Sequence, residues 1–414
     1  MPWHLRMIIT VFLMVILLYV YVGFRFSAAI ARNFSVSVRS ARIATFAIIG
    51  ILNLLPILIL LYSGMGNTRD FFTFRDQLHW QDYVFLYPFW LGLIVLIETV
   101  PYYLLIDIAN LAFRIFKPSY LLQWLKWGSI LKLILTVVIA GYVGIRAYLD
   151  TNQIAVKQYT IPVENLPADF QNLRLVLFGD VQVDRYTQNG KLKRFKNQLS
   201  ETKADIFLFA GDLVTYGEDF TEEGLDLFCG LKASTANISC LGDHDHWSNS
   251  QKISSGLREC GWDFLENQHR LISRSNHKIL VTGIVYIYSR KISSERLDSL
   301  LANAPDADLK ILLVHQPARR VIEAAKNHGY DLVLAGHTHG GQIVFRPLGF
   351  HLTPSMFENP HYSGYKNEDG IGVVITNGIG LTLAPLRYNS PAEISKIRLV
   401  NKTGKYLKKG DDYE

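Results

Sequence analysis

The stretch Leu332-Val333-Leu334-Ala335-Gly336-His337-Thr338-His339-Gly340-Gly341-Gln342 anchors any interpretation of this 414-residue chain. Its apolar run, Leu332 to Ala335, has the length and bounds of a buried strand. The run stops at Gly336, and two histidines follow with one residue between them. If the backbone stays extended, His337 and His339 share a face, because side chains two apart point the same way. Gly340 and Gly341 allow a tight turn and a close backbone approach. Two imidazoles on one side of a strand end suit metal binding. The plainer reading is a pair of surface histidines, and the surrounding chain has to distinguish the two.

Upstream, four more apolar runs end in the same manner. Leu173 to Phe178 leads into Gly179-Asp180-Val181-Gln182, and Ile206 to Ala210 into Gly211-Asp212. Ile238 to Leu241 leads into Gly242-Asp243-His244-Asp245-His246-Trp247, and Lys310 to Val314 into His315. Helical stretches separate them, so strands alternate with helices and predict an α/β domain. In open α/β sheets, ligands bind beyond the carboxyl ends of the strands. Asp180, Gln182, Asp212, Asp243, His315, His337 and His339 are therefore expected to converge. One Gly-Asp pair is ordinarily a turn. Five strand ends all carrying metal-capable side chains are better explained by a site.

The amino-terminal third is different in kind. Hydrophobic residues make up 49% of the chain, and its mean hydropathy is +0.15. Four apolar stretches, about residues 7–24, 43–65, 83–106 and 127–149, can each cover a hydrocarbon core of about 30 Å, which takes about 20 residues. Lys132 and Arg146 lie near the two ends of the last stretch, where long basic side chains can snorkel. Glu98 lies deep in the third stretch, where a carboxyl is a functional candidate by default; the preferred reading is a structural carboxyl, protonated or helix-paired. The first stretch lacks a cleavage signature and reads as an anchor. No row of polar residues lines the spans, which argues against a transporter.

Residues 1–149 hold 12 basic and 5 acidic side chains, leaving 30 against 31 for the remainder. The net charge of +6 thus comes from the loops of the apolar part and is no argument for nucleic acid. Arg25, Arg32, Arg39 and Arg42 fill the loop after the first stretch. Arg114, Lys117 and Lys126 dominate the loop after the third, with Asp107 its only acid. The positive-inside rule puts both loops in the cytoplasm and residues 150–414 outside. Cys229, Cys240 and Cys260 lack the spacing of a zinc knuckle. One disulfide or three free thiols fit them equally.

The order of motifs resembles the calcineurin-like metallophosphoesterases. Their pattern is Asp-x-His, Gly-Asp, Gly-Asn-His-Asp or Glu, a lone His, and Gly-His-x-His. Here it reads Asp180-Val181-Gln182, Gly211-Asp212, Gly242-Asp243-His244-Asp245, His315 and Gly336-His337-Thr338-His339. The apolar front, and the ending from Gly378 through Arg387 to Glu393, are similar to a membrane-linked branch. That branch includes relatives of the UDP-2,3-diacylglucosamine pyrophosphohydrolases of lipid A synthesis. Such a substrate would lie on the cytoplasmic side, opposite to the face predicted from loop charge.

The resemblance implies an α/β fold: a four-layer α/β/β/α metallophosphoesterase sandwich of two mixed sheets over residues 172–400. It is preceded by a four-span membrane region (1–149) and a linker with the first strand (150–171), and followed by a polar tail (401–414). It implies two divalent metal ions, one held by Asp180, Gln182 and His339 and one by Asp243, His315 and His337, with Asp212 bridging. A hydroxide between the metals would attack phosphorus. His244 would stabilise the phosphate or protonate the leaving group, and Asp245 would orient His244. Apart from the resemblance, Arg387 reads either as a substrate-phosphate contact, since guanidinium forks match that geometry, or equally as an ordinary surface residue.

Gln182 stands where the family has His, and Asp243 where it has Asn. Both changes favour oxygen ligation, which suits Mn²⁺ over Zn²⁺; Mg²⁺, Fe and Zn²⁺ remain in range. The expected protein is a multi-pass membrane enzyme that hydrolyses a phosphoester or pyrophosphate in a phosphorylated small molecule or lipid. The alternative, motivated by the two altered ligands, is a phospho-ligand receptor or scaffold that keeps the fold. Residues 343–370, rich in proline and aromatics, read equally as a lid over the substrate, in contact with lipid, and as a local cap on the sheet. His246 and Trp247 read as a packing pair, and His269, His351 and His361 as surface residues.

Overall fold

A computed structural model describes residues 3–64 and 78–402. They form two compact units. A helical unit holds the residues up to Thr151 together with Ile343–Thr353 and Leu383–Asn389. An α/β unit holds Asn152–Gln342, Pro354–Thr382 and the residues from Ser390 onward. Most of the expected polar tail, from residue 403, lies outside the described residues.

The helical unit contains α1 (Trp3–Asn33), α2 (Val38–Leu52), α3 (Leu54–Gly64), α4 (Tyr87–Phe116, entered through a π-helical turn at Asp82–Leu86) and α5 (Leu121–Asn152). Three stretches, Leu5–Asn33, Asp82–Phe116 and Pro118–Asn152, are long and apolar enough to cross a membrane. The expected second span differs. It is split into α2 and α3, which meet at a bend of 66°. Pro56 explains the break: it has no N–H for the Leu52 carbonyl, and its ring crowds that oxygen. By length and composition the pair counts as one further candidate span, broken or re-entrant, and residue 65, the expected end, lies outside the described residues.

Two polar side chains of these helices have partners that local sequence did not reveal. Lys132 does not snorkel. It is buried against Asp107, whose carboxylate also accepts from Arg25 Nε at 2.8 Å and Tyr21 OH at 2.7 Å. Burial of a charge is tolerable only with such pairing. Glu98 Oε1 accepts from the Arg346 backbone N–H at 2.7 Å and from Tyr388 OH at 3.1 Å. Its partners thus come from the two later segments, not from its own helix.

In the α/β unit the strands are β1 (Ile154–Val163), β2 (Arg174–Phe178), β3 (Ile206–Phe209), β4 (Ala236–Ser239), β5 (Asp263–Phe264), β6 (Gln268–Arg274), β7 (His277–Ile284), β8 (Leu309–Val314), β9 (Leu332–Ala335), β10 (Gly364–Glu368), β11 (Ile371–Ile375) and β12 (Ala392–Asn401). They make two six-stranded mixed sheets, ordered β1-β12-β2-β3-β4-β5 and β10-β11-β9-β8-β7-β6. Strands β2 to β5 run parallel, as do β7, β8, β9 and β11.

Period-two alternation sets what covers each side of a strand. Leu175 and Leu177 of β2 share one buried cluster with Ile311 and Leu313 of β8 and Leu332 and Leu334 of β9. Their neighbours Val176 and Phe178 instead join Phe195 of α6 (Gly190–Glu201), Phe228 of α7 (Thr221–Phe228) and, past the short α8 (Asp243–Trp247), Ile253 of α9 (Ser250–Glu259). On the second sheet, Leu312 and Val333 join Leu297 of α10 (Ser294–Ala302) and Val321 of α11 (Arg319–Asn327). Each such side chain contributes about 1.5–3 kcal/mol on burial. Edge strand β6 escaped the sequence reading because only Ile272 of its seven residues is buried, so it shows no apolar run. Of the three cysteines, Cys229 and Cys260 form a disulfide, and Cys240 is a buried free thiol.

Candidate metal centre

Asp180, Asp212, Asp243, His315 and His337 each follow the carboxyl end of a parallel strand: β2, β3, β4, β8 and β9 in turn. The backbone there is not extended. Asp180, Gln182, Asp212, His337 and His339 have φ of 45°, 43°, 61°, 74° and 53°. The expected shared face of His337 and His339 therefore fails, since it required extended backbone. Left-handed conformations cost about 1–2 kcal/mol per non-glycine residue and cluster at functional sites. Here cross-strand bonds hold them: Asp180 N–H donates to Gly211 O at 2.8 Å, and Gln182 N–H to Asp212 O at 3.0 Å. Gly242 leaves essential space, because a Cβ there would collide with Asp212 Oδ1.

The turn sends the two histidines to different carboxylates. His337 Nδ1 lies 3.4 Å from Asp243 Oδ2, while His339 Nε2 lies 3.8 Å from Asp180 Oδ1. His315 Nε2 lies between, 3.3 Å from Asp212 Oδ2 and 3.6 Å from Asp243 Oδ2. Two groups of donor atoms are compact enough for a cation: Asp243, His315 and His337, and Asp180, Asp212 and His315. Gln182 Nε2 donates to Asp212 Oδ2 at 3.3 Å. Gln182 Oε1 is buried without a hydrogen bond among the described residues.

This donor set fits divalent metals. Asp180, Asp212 and Asp243 are buried, and their ion-pair partners among the described residues are all histidines. Burial pushes Asp180 up to about 6. Burial, with the charge of Asp212, pushes Asp245 up to about 7. Burial also opposes ionisation of Asp212, but His315 and His244 outweigh it and hold its carboxyl well below the usual range. Burial works against charge on His315, yet Asp212 and its neighbouring carboxylates raise its pKa well above the usual imidazole value. So much buried negative charge calls for a cation.

Asp245 differs from expectation. It accepts from the N–H groups of Asp212 (2.8 Å), Leu213 (2.7 Å) and Gly242 (2.9 Å). With its oxygens so occupied it braces the loops after β3 and β4, and it does not orient His244. The partner of His244 Nδ1 is the Thr215 carbonyl oxygen, 2.5 Å away. Trp247 packs on the His244 ring, centroids 4.8 Å apart.

Arg387 is not the ordinary surface residue of the alternative reading. It belongs to the helical unit, wholly buried, and its backbone N–H donates to Thr151 Oγ1 at 2.8 Å. The expected lid is divided: Ile343–Thr353 belongs to the helical unit and the rest to the α/β unit. His361 is buried, with Nε2 3.1 Å from Gly364 O, and His269 is half-buried between Thr282 and Leu300. These two depart from a surface reading because their rings meet partners brought by folding; His351 is exposed.

Three residues were missed. Gln316 Nε2 donates to Asp243 Oδ2 at 2.8 Å, and Tyr288 N–H to Asp243 Oδ1 at 2.7 Å. Glu358, on α12 (Ser355–Glu358), lies 3.2 Å from His337 Nε2 and accepts from Tyr288 OH. Adjacency to His315 could have flagged Gln316. Nothing local marks Glu358.

Comparison with known proteins agrees with this geometry. Residues 173–341 match the calcineurin-like phosphoesterase family. The chain therefore carries a metallophosphoesterase domain and is by class a phosphoester hydrolase. It is 25% identical over 272 residues to an uncharacterized metallophosphoesterase, YkuE, of Bacillus subtilis, covering 63% of this chain and 90% of that one. It is 28% identical over 281 residues to the transmembrane protein with metallophosphoesterase domain of Danio rerio, covering 66% of this chain and 62% of that one. It is 27% identical over 205 residues to phosphodiesterase YaeI of Escherichia coli, covering 48% of this chain and 72% of that one.

Proposed function

We propose that the protein is a multi-pass membrane phosphohydrolase that uses two divalent ions, preferably Mn²⁺, to cleave a phosphoester or pyrophosphate of a lipid-linked or envelope substrate. The observation that carries the reading is the pair of donor groups meeting at His315, with Asp212 beside both Gln182 and His315. Asp180, Gln182 and His339 would hold one ion, Asp243, His315 and His337 the other, with Asp212 between them. When bound, such ions polarise the phosphoryl group and make hydroxide available near neutral pH. Gln316 and Tyr288 orient Asp243, and Asp245 fixes the backbone that carries Asp212. His244 donates through Nδ1 to the Thr215 carbonyl oxygen; as the doubly protonated imidazolium it also carries a proton on Nε2, which it gives to the leaving oxygen, ending as the neutral Nδ1–H tautomer.

The buried clusters on both sides of each sheet support a four-layer α/β/β/α arrangement. The apolar helices support membrane anchoring, and with it a substrate found at membranes. The Cys229–Cys260 disulfide supports an oxidising compartment and hence the extracytoplasmic side predicted from loop charge.

The test is turnover by the purified full chain, reloaded with Mn²⁺, on bis-p-nitrophenyl phosphate and on a panel of lipid phosphates and pyrophosphates. Activity lost in Asp212→Ala is expected. Metal binding with no turnover of any substrate would replace the enzyme by a phospho-ligand receptor.

A further inference from the structure

A hairpin of coil, Ile343–Thr353, belongs to the helical unit although it follows Gln342 directly in the chain. Its two arms pair through Phe345 and Leu352, which exchange N–H to carbonyl bonds of 2.9 Å each way. It is pinned at Glu98, which accepts the Arg346 N–H. Glu98 is the twelfth residue of α4, about 16 Å from the helix start at about 1.5 Å per residue. Asp107, Asn110 and Arg114 make the later part of α4 more polar. The most apolar 20-residue length of α4 thus has Glu98 well inside it.

Irregular backbone at such depth is stable only where protein satisfies its polar groups. That condition is met at several positions. Val344 N–H donates to Tyr388 O, Asn389 Nδ2 donates to Val344 O, and the turn carries Gly349 N–H to Arg346 O and Phe350 N–H to Pro347 O. The inner side chains Ile343 and Phe345 join the same apolar cluster as Phe89 and Leu93 of α4.

The outer face is apolar and open. Leu348, Phe350 and Leu352 are 43%, 69% and 44% exposed. The second segment, Leu383–Asn389, runs beside the end of α5, where Tyr142 OH donates to Asn389 Oδ1 at 3.0 Å. There too the outward side chains are apolar: Ile145 and Tyr148 are 65% and 69% exposed. Arg346 and His351 are also exposed on the hairpin, where their long or amphipathic side chains can snorkel.

We propose that the Ile343–Thr353 hairpin is seated in one leaflet of the membrane, with Leu348, Phe350 and Leu352 among acyl chains. The partner is the phospholipid leaflet itself. The proposal rests on the reading of the long helices as membrane spans.

The test uses the full chain in phosphatidylcholine–phosphatidylglycerol vesicles, with Phe350→Cys and, separately, Leu348→Cys carrying an environment-sensitive fluorophore. Val137→Cys on α5 and Tyr216→Cys on the α/β unit, at positions 70% and 59% exposed, are the references. The expected result is at least twofold quenching of positions 350, 348 and 137 by acyl-chain spin labels, with only position 216 quenched by aqueous iodide. If 350 and 348 follow 216 while 137 stays with lipid, the hairpin lies in water and the proposal is overturned. If 137 also reports water, the membrane reading beneath it fails.

Discussion

His337 Nε2 lies 3.2 Å from Glu358 Oε1, so the first histidine of the Gly-His-Thr-His motif is held from behind by a carboxylate of a short helix. The bond to His337 holds the Glu358 carboxyl below its usual range, and Tyr288 OH secures it further. Such support orients a ligating ring and raises its basicity, and its loss typically costs about 10–100-fold in metal affinity. Glu358→Gln is expected to weaken binding of one metal equivalent by that factor, read by titration of the metal-free protein. Unchanged affinity would remove Glu358 from the site.

His244 and Asp245 adjoin in sequence but should fail differently. Asp245→Ala leaves three buried N–H groups without acceptors, at about 1–3 kcal/mol each. A large fall in melting temperature is expected. His244→Ala should keep its melting temperature and metal content while kcat drops about 10²–10⁴-fold. Equal destabilisation of both variants would contradict the division of labour.

Gln182 offers an oxygen where an imidazole would favour softer metals. Gln182→His is expected to raise the ratio of Zn²⁺-supported to Mn²⁺-supported turnover. The measurement is a metal-reloading series on both proteins, and an unchanged ratio would deny Gln182 a role in metal choice.

Asp205 ties β2 to β3: it accepts from Arg174 N at 2.9 Å and from Arg174 Nε at 3.1 Å. Burial opposes its ionisation, but the Arg174 guanidinium outweighs it and holds the carboxyl below the usual range. A folded pKa below the unfolded one means the unfolded chain takes up the proton first as pH falls. The stabilisation is full above about pH 4, the unfolded value, and is lost as pH falls through the folded value. Asp205→Asn should therefore lower the melting temperature at pH 7 and show a shallower acid limb. Parallel melting curves against pH would refute this.

Glu98 holds the hairpin through an acceptor, not through charge. Glu98→Gln keeps an oxygen for Arg346 N–H and Tyr388 OH, whereas Glu98→Ala removes it. Faster hydrogen exchange across residues 344–352 is expected in the alanine variant only. Equal protection in both would show that apolar packing suffices.

Local composition was enough to specify the strands that end in candidate metal-binding residues, and the order of those residues. Runs such as Leu332–Ala335 and Ile206–Phe209 are short, apolar and glycine-bounded, and Asp212 or His337 follows by adjacency. Three of the long apolar helices were legible for a similar reason, because about 20 uncharged residues have few other fates. Whatever depends on distant partners was not legible. His337 and His339 diverge through left-handed turns held by other strands, Asp245 faces three backbone N–H groups, and Glu98 is met by Arg346, 248 residues on. Glu358 reaches His337 only once the irregular segment has folded back. Periodicity reports which face of an element is apolar. Which polar atom meets the rim of that face is set by chain crossings that no local pattern encodes.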